Sequence, residues 1–177
     1  MGFFSKLLSL ITGNQVKHDF PSQFYADLTI DLTEFQCGNS SLGGYLSDAD
    51  FFATSLDSRG MFSAEEYGID LWTKEDVLTT VTLNLEHFPG GFIRVGQVIQ
   101  LDTSTTIDEI LALFGEPYWR DDDDDEILLF YEEDGREIQI EFPDRCRLGF
   151  ITITSRPILA DPKQRETYGV TKSWPPR

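Results

Sequence analysis

The sequence predicts an α+β protein, predominantly antiparallel sheet with short helices on one face. Three observations carry this. Runs of alternating or β-branched residues recur between residues 24 and 154, separated by turn residues. One well-capped helical stretch, residues 105–115, stands among them. Hydrophobic residues are 40% and aromatics 13% of the 177 residues, enough for a substantial core.

Residues 1–14 read as an N-terminal amphipathic helix. Phe3, Phe4, Leu7, Leu8, Leu10 and Ile11 follow helical spacing, and Gly13 with Asn14 ends the run. It is too short to span a membrane. It has no small-residue cleavage site, and Lys6 stands where a myristoylation signal needs Ser or Thr. The helix is expected to pack on the body, to contact a partner or a second copy of the chain, or to touch a membrane surface weakly.

Residues 15–23 are polar, include Pro21 and read as a connector. Residues 24–35 alternate, with Leu28, Ile30 and Leu32 on one face of a strand. Residues 37–44 are a loop by composition. Ser47 caps a short helix over residues 47–55, whose Asp48 and Asp50 suit the positive helix end. Strands follow over 60–63, 67–72 and 77–85. In the last, Val77, Thr79, Val81, Leu83 and Leu85 form the expected core face. Residues 88–91 break the chain, and 92–101 read as one further strand.

In residues 101–155 the helix opens on a capping-box pair, Thr106 and Glu109. Strands are expected over 127–132, 137–142 and 148–154, with a hairpin turn at Glu132, Glu133, Asp134 and Gly135. Residues 156–177, rich in Pro and charge, read as an extended tail with Tyr168 and Trp174 against the body. The organisation is therefore the helix 1–14, a first α+β unit 24–100, a second 101–155 and the tail, with 24–155 forming one compact domain.

The two units resemble each other. Ser47, Asp50 and the apolar run after them match Thr106, Glu109 and theirs. Residues 78–83 match 148–153, and 69–72 match 138–142 with a one-residue slip. The second unit is longer, chiefly by its acidic run. This pattern resembles the tandem helix-plus-four-strand repeats of the β-lactamase-inhibitor-protein-like fold. Residues 105–117, ending Gly115-Glu116-Pro117, look like the helix-to-Gly-x-Pro passage of such units. Leu56-Asp57-Ser58 departs from it in the first unit. The resemblance implies two α-plus-β-meander units and an inhibitory function.

Charge bounds the function. Asp and Glu number 31 against 14 Lys and Arg, a net charge of -17. Such a chain repels phosphate backbones, so nucleic acid is not an expected partner; a basic protein is. Cys37 and Cys146 form no metal-binding pair and read as two buried thiols. His18 and His87 lack helical ligand partners and a serine nucleophile motif. No phosphate loop is present, and no cofactor or metal is expected.

The boldest feature is the acidic run Asp121, Asp122, Asp123, Asp124, Asp125 and Glu126, preceded by Tyr118 and Trp119 and followed by Tyr131. Three readings stand: a solvated hairpin loop, a docking patch for a basic partner, and a calcium loop. The run lacks the glycine and alternation that calcium requires. Aromatics beside charge are what interfaces use as anchors, so these nine residues are the expected partner-binding set. The leading expectation is a non-catalytic acidic cytoplasmic protein, an inhibitor or bacterial immunity-type protein for a basic toxin or enzyme. The alternative is an accessory protein that docks, or pairs two copies, through residues 1–14.

Overall fold

The computed structural model describes residues 20–46, 53–174 and 176. The helix expected over 1–14 lies outside the described residues, as do residues 47–52 of the helix expected over 47–55, whose last three residues, Ala53–Ser55, form a 3-10 turn. Within them the fold is α+β, with two sheets, all pairings but one antiparallel.

The described residues open on helix α1 (Ser22–Asp27), followed by strand β1 (Thr29–Asp31), which corrects the single strand expected over 24–35. Pro21, with φ -58, starts the helix, and Tyr25 is its buried residue, stacked on Tyr67 at 4.0 Å. The expected inward face holds: Leu28, Ile30 and Leu32 are buried. The Asp31 carboxylate accepts from the backbone N–H groups of Thr33 and Glu34 and turns the chain out of the strand. The expected loop after Cys37 contains a small hairpin, β2 (Gln36–Cys37) and β3 (Ser40–Ser41).

Two further strands complete this smaller sheet: β7 (Gly91–Arg94) and β8 (Gln97–Ile99). Its order is β3-β2-β1-β7-β8, with β1 and β7 parallel. The single strand expected over 92–101 is therefore a hairpin. Val95 and Gly96 turn it with φ of 50° and 69°, a turn whose usual signal is Asn-Gly or Asp-Gly.

The larger sheet holds β4 (Met61–Ala64), β5 (Ile69–Lys74), β6 (Val77–Asn84), β9 (Trp119–Asp122), β10 (Ile127–Glu133), β11 (Arg136–Phe142) and β12 (Phe150–Thr154). Its order is β4-β5-β6-β12-β11-β10-β9. Two meanders, one of three strands and one of four, join through their last strands. The acidic hairpin adds strand β9, which has no counterpart in the first meander.

The register repeats about the junction. Thr82 pairs with Thr152, flanked by Thr80 with Thr154 and Asn84 with Phe150. Outward, Leu83 pairs with Ile69 and Ile153 with Ile138. Leu83 and Ile153, matched in sequence, thus have matched partners in Ile69 and Ile138; the helix start matched at Ser47 and Asp50 lies outside the described residues.

The core face of β6 differs from strict alternation. Val81, Leu83 and Leu85 are buried as expected, but Leu78 joins them. The register with β5 shifts between Trp72 and Thr73. This bulge turns Leu78 to the core side, and Thr79 donates its hydroxyl to the Trp72 carbonyl at 3.0 Å. One apolar cluster runs from Tyr25 to Ile153 and so draws on both units.

Helix α2 (Ile107–Phe114) carries the full capping box: Glu109 N–H donates to the Thr106 hydroxyl, and Thr106 N–H donates to the Glu109 carboxylate. The turn at Asp134 and Gly135 is left-handed at both positions, with φ of 53° and 78°. The tail corrects the extended reading. A 3-10 turn (Ile158–Ala160) leads into helix α3 (Pro162–Thr167), capped by the Asp161 side chain on Lys163 N–H. Asp before Pro at the first helical position is a helix start signal. Tyr168 and Trp174 do lie against the body, in a second apolar cluster with Leu128, Phe130 and Leu159.

Candidate functional site

The nine residues singled out by sequence fall into four places. Asp121 and Asp122 belong to the edge strand β9, paired with Leu128 and Ile127, which corrects the reading of the run as a loop. Asp123, Asp124 and Asp125 form the exposed hairpin tip, closed by Asp123 N–H donating to the Glu126 carbonyl at 3.1 Å. Arg120 and Arg145 both grip the Asp122 carboxylate at 2.6 Å, and Arg145 also donates to the Asp123 carbonyl. The Arg120 hydrogen bond leads in holding the Asp122 pKa below the usual range. Burial, then Asp123, Glu126 and Asp122, push that of Asp121 up. Charged side chains on an edge strand also discourage pairing with another sheet.

Trp119 is a tail anchor. Its indole N–H donates to the Tyr168 carbonyl at 3.0 Å. Tyr118 and Tyr131 lie at the other end of β10, on a cleft of about 530 Å³. Phe114 completes its aromatic wall; Glu116, Glu132 and Glu133 supply carboxylates. Lys172 and Ser173 close it from the tail. The Tyr131 hydroxyl donates to the Gly115 carbonyl at 3.1 Å, and the Tyr118 hydroxyl to the carbonyls of Lys172 and Ser173. Burial pushes the Tyr131 pKa up to about 12.

Sequence reasoning missed a third feature, the row Glu137, Gln139 and Glu141 on β11. Alternation with Ile138, Ile140 and Phe142 marks it as a solvated face, yet all three polar residues are buried. The tail covers them. Ile158 N–H and the Gln139 amide donate to one Glu137 oxygen at 3.1 and 2.6 Å. The second oxygen of Glu137, the Gln139 carbonyl oxygen and one Glu141 oxygen are buried without a hydrogen-bond partner among the described residues. Burial raises the Glu137 pKa to about 7 against the Gln139 and backbone hydrogen bonds; burial and then Glu126 raise that of Glu141 to about 7. Burial also leads in raising that of Tyr168, with Asp121, Glu126, Glu137 and Glu141 adding to it. The signal available in sequence was the Asp-Pro helix start, which gives the tail enough structure to act as a cover.

Cys37 is buried as expected, whereas Cys146 is exposed, a correction; both are free. Cys146 sits in the turn after β11, where its N–H and that of Arg147 cap Asp144. No group of three or more His, Cys, Asp or Glu placed to hold a metal occurs among the described residues. No described helix is long and apolar enough to cross a membrane. No protein-family model, curated protein or solved structure matches this chain.

Proposed function

We propose that the protein is a non-catalytic, acidic protein-binding protein that neutralises a basic toxin or enzyme, in the manner of an inhibitor or immunity protein. One observation carries the reading. Residues 116–134 hold ten acids and one arginine, and their strands, β9 and β10, form one edge of the larger sheet. Charge concentrated in this way raises the encounter rate with a basic partner and orients it. The resemblance of the paired units to the β-lactamase-inhibitor-protein-like fold supports the same reading. Glu137 and Glu141, which titrate where acid–base catalysts do, lie beneath Leu159 and Tyr168, out of a substrate's reach. The alternative, docking through residues 1–14, rests on residues outside those described.

The test is association with a purified basic partner, obtained by affinity capture and reassembled from pure components. The on-rate should fall by one or more orders of magnitude as salt rises from about 0.02 to about 0.5 M. Changing Asp121 to Asp125 to Asn should remove most of that dependence. A partner that binds equally well at both salt concentrations, or ignores the five changes, would overturn the proposal.

A further inference from the structure

We infer that the cleft between helix α2, strand β10 and the tail seats an arginine side chain of the basic partner, a reading that rests on the proposed function above and locates its anchor. The cleft has the volume of a side-chain or small-ligand pocket. It is lined by Phe114, Tyr118 and Tyr131 and by the acids Glu116, Glu132 and Glu133; Arg94 already covers the Phe114 ring and Tyr131 is buried, so Tyr118 is the ring left to stack on. Ring faces and carboxylates together are what a guanidinium requires: a plane to stack on and oxygens for its forked donors.

The chain itself shows both contacts at this place. The Arg94 guanidinium lies 4.1 Å from the Phe114 ring centre and donates to Glu133 at 2.8 Å. From the tail, Lys172 holds its ammonium 5.9 Å from the Tyr118 ring centre and donates to the Tyr118 carbonyl at 2.8 Å. Thus Glu133 is already engaged, and the carboxylates of Glu116 and Glu132 are the pair left for an incoming cation. Glu132 spends one oxygen on the Gly135 N–H, at 2.7 Å. Lysine suits the site less well, because a point charge cannot both stack on the rings and bridge two carboxylates. Lys172 is the internal competitor: an arriving guanidinium displaces it from Tyr118.

The experiment is titration of the isotope-labelled full chain with N-acetyl-arginine methylamide, followed by backbone amide shifts, with N-acetyl-norleucine methylamide as the neutral probe. Saturable shifts at Glu116, Tyr118, Glu132 and Ser173 are expected with the arginine probe alone. The isosteric pair Glu116→Gln, exposed, and Glu132→Gln, half-buried, should weaken the probe about tenfold, and Lys172→Ala should tighten it severalfold. Shifts confined to residues 123–125 would overturn the cleft as the seat while leaving the basic-partner reading in place. Absence of any saturable shift, or equal binding of the neutral probe, would overturn it as well. Should the double variant fail to fold, the Lys172→Ala arm decides alone: unchanged or weaker binding rejects the seat.

Discussion

Thr82 and Thr152 stand directly opposite each other where the two meanders meet, and their buried hydroxyls share a hydrogen bond of 2.9 Å. The pair is the centre about which the register of the larger sheet repeats. Beside it, Thr80 and Thr154 share a second hydroxyl contact at 3.2 Å. The junction is thus joined by a hydroxyl ladder on one face and by Val81, Leu83, Ile151 and Ile153 on the other.

The ladder makes a prediction about additivity. Thr82→Val leaves the Thr152 hydroxyl buried without its partner and should cost about 1–2 kcal/mol. Thr152→Val should cost about the same. The double change removes both polar groups while keeping their shape, and should cost clearly less than the sum. Urea unfolding of the four proteins measures this. Additive losses would mean that the two hydroxyls do not interact.

Buried carboxyls on β11 predict an inverted pH dependence. Glu141 ordinarily titrates near 4.5 and is raised to about 7 in the fold. Between those values the native state holds more protons than the unfolded chain, so stability falls as pH rises. The contribution of Glu141 is fully present below about 4.5 and lost above about 7, with a span of up to about 3 kcal/mol. Glu141→Gln should therefore be more stable than the parent at pH 8 and equal to it near pH 4.5. Denaturant midpoints across that window decide. Asp144, held at about 2 by the Arg147 and Cys146 hydrogen bonds, acts in the opposite direction, and only at lower pH.

Much of the fold was legible because period and pairing agree. The capping box at Thr106 and Glu109, the Asp134-Gly135 turn and the strands β10 to β12 follow from local chemistry. The match of Ile69 with Ile138 survives because both occupy the same position in the register. What escaped depends on partners distant in sequence. The hairpin at Val95 is invisible because valine is unsuited to a positive φ, and Gly96 alone does not mark a turn. Glu137 and Glu141 look solvated because nothing in β11 tells that Leu159 will lie over it. The acidic run looked like a loop because its strand character comes from pairing with Leu128 and Ile127. Tyr118 and Tyr131 stand out in sequence as aromatics beside charge, whereas the cleft that unites them needs Lys172, roughly forty to fifty-five residues on.

The tail cover makes a third prediction. Leu159 is fully buried against Leu128, Phe130 and Tyr168. Truncation to alanine leaves a cavity at the centre of this small cluster and should cost about 2–4 kcal/mol. The damage should be local first. The Ile158 amide, which donates to Glu137, should lose protection in hydrogen exchange before the amides of β5 and β6 do. Uniform loss of protection across both meanders would show that the tail unfolds only with the whole protein.

Arg94 joins three elements with one side chain and carries the last prediction. It rises from β7 in the smaller sheet, stacks on Phe114 of α2, donates to the Leu113 carbonyl at 3.3 Å and pairs with Glu133 of β10. Its side chain is only 11% exposed, so its pair with Glu133 is better shielded than a surface ion pair. Arg94→Met keeps most of the apolar stem but leaves Glu133 without its partner, at a cost of about 2 kcal/mol. Arg94→Lys keeps the charge but loses the planar stack and the fork, so it should recover less than half of that loss. Adding Glu133→Gln to Arg94→Met should restore stability, because it removes the orphaned carboxylate. Thermal unfolding of these variants at one pH and ionic strength is the measurement. If lysine restores the parent stability in full, the contact is a simple charge pair and the stacking on Phe114 contributes nothing.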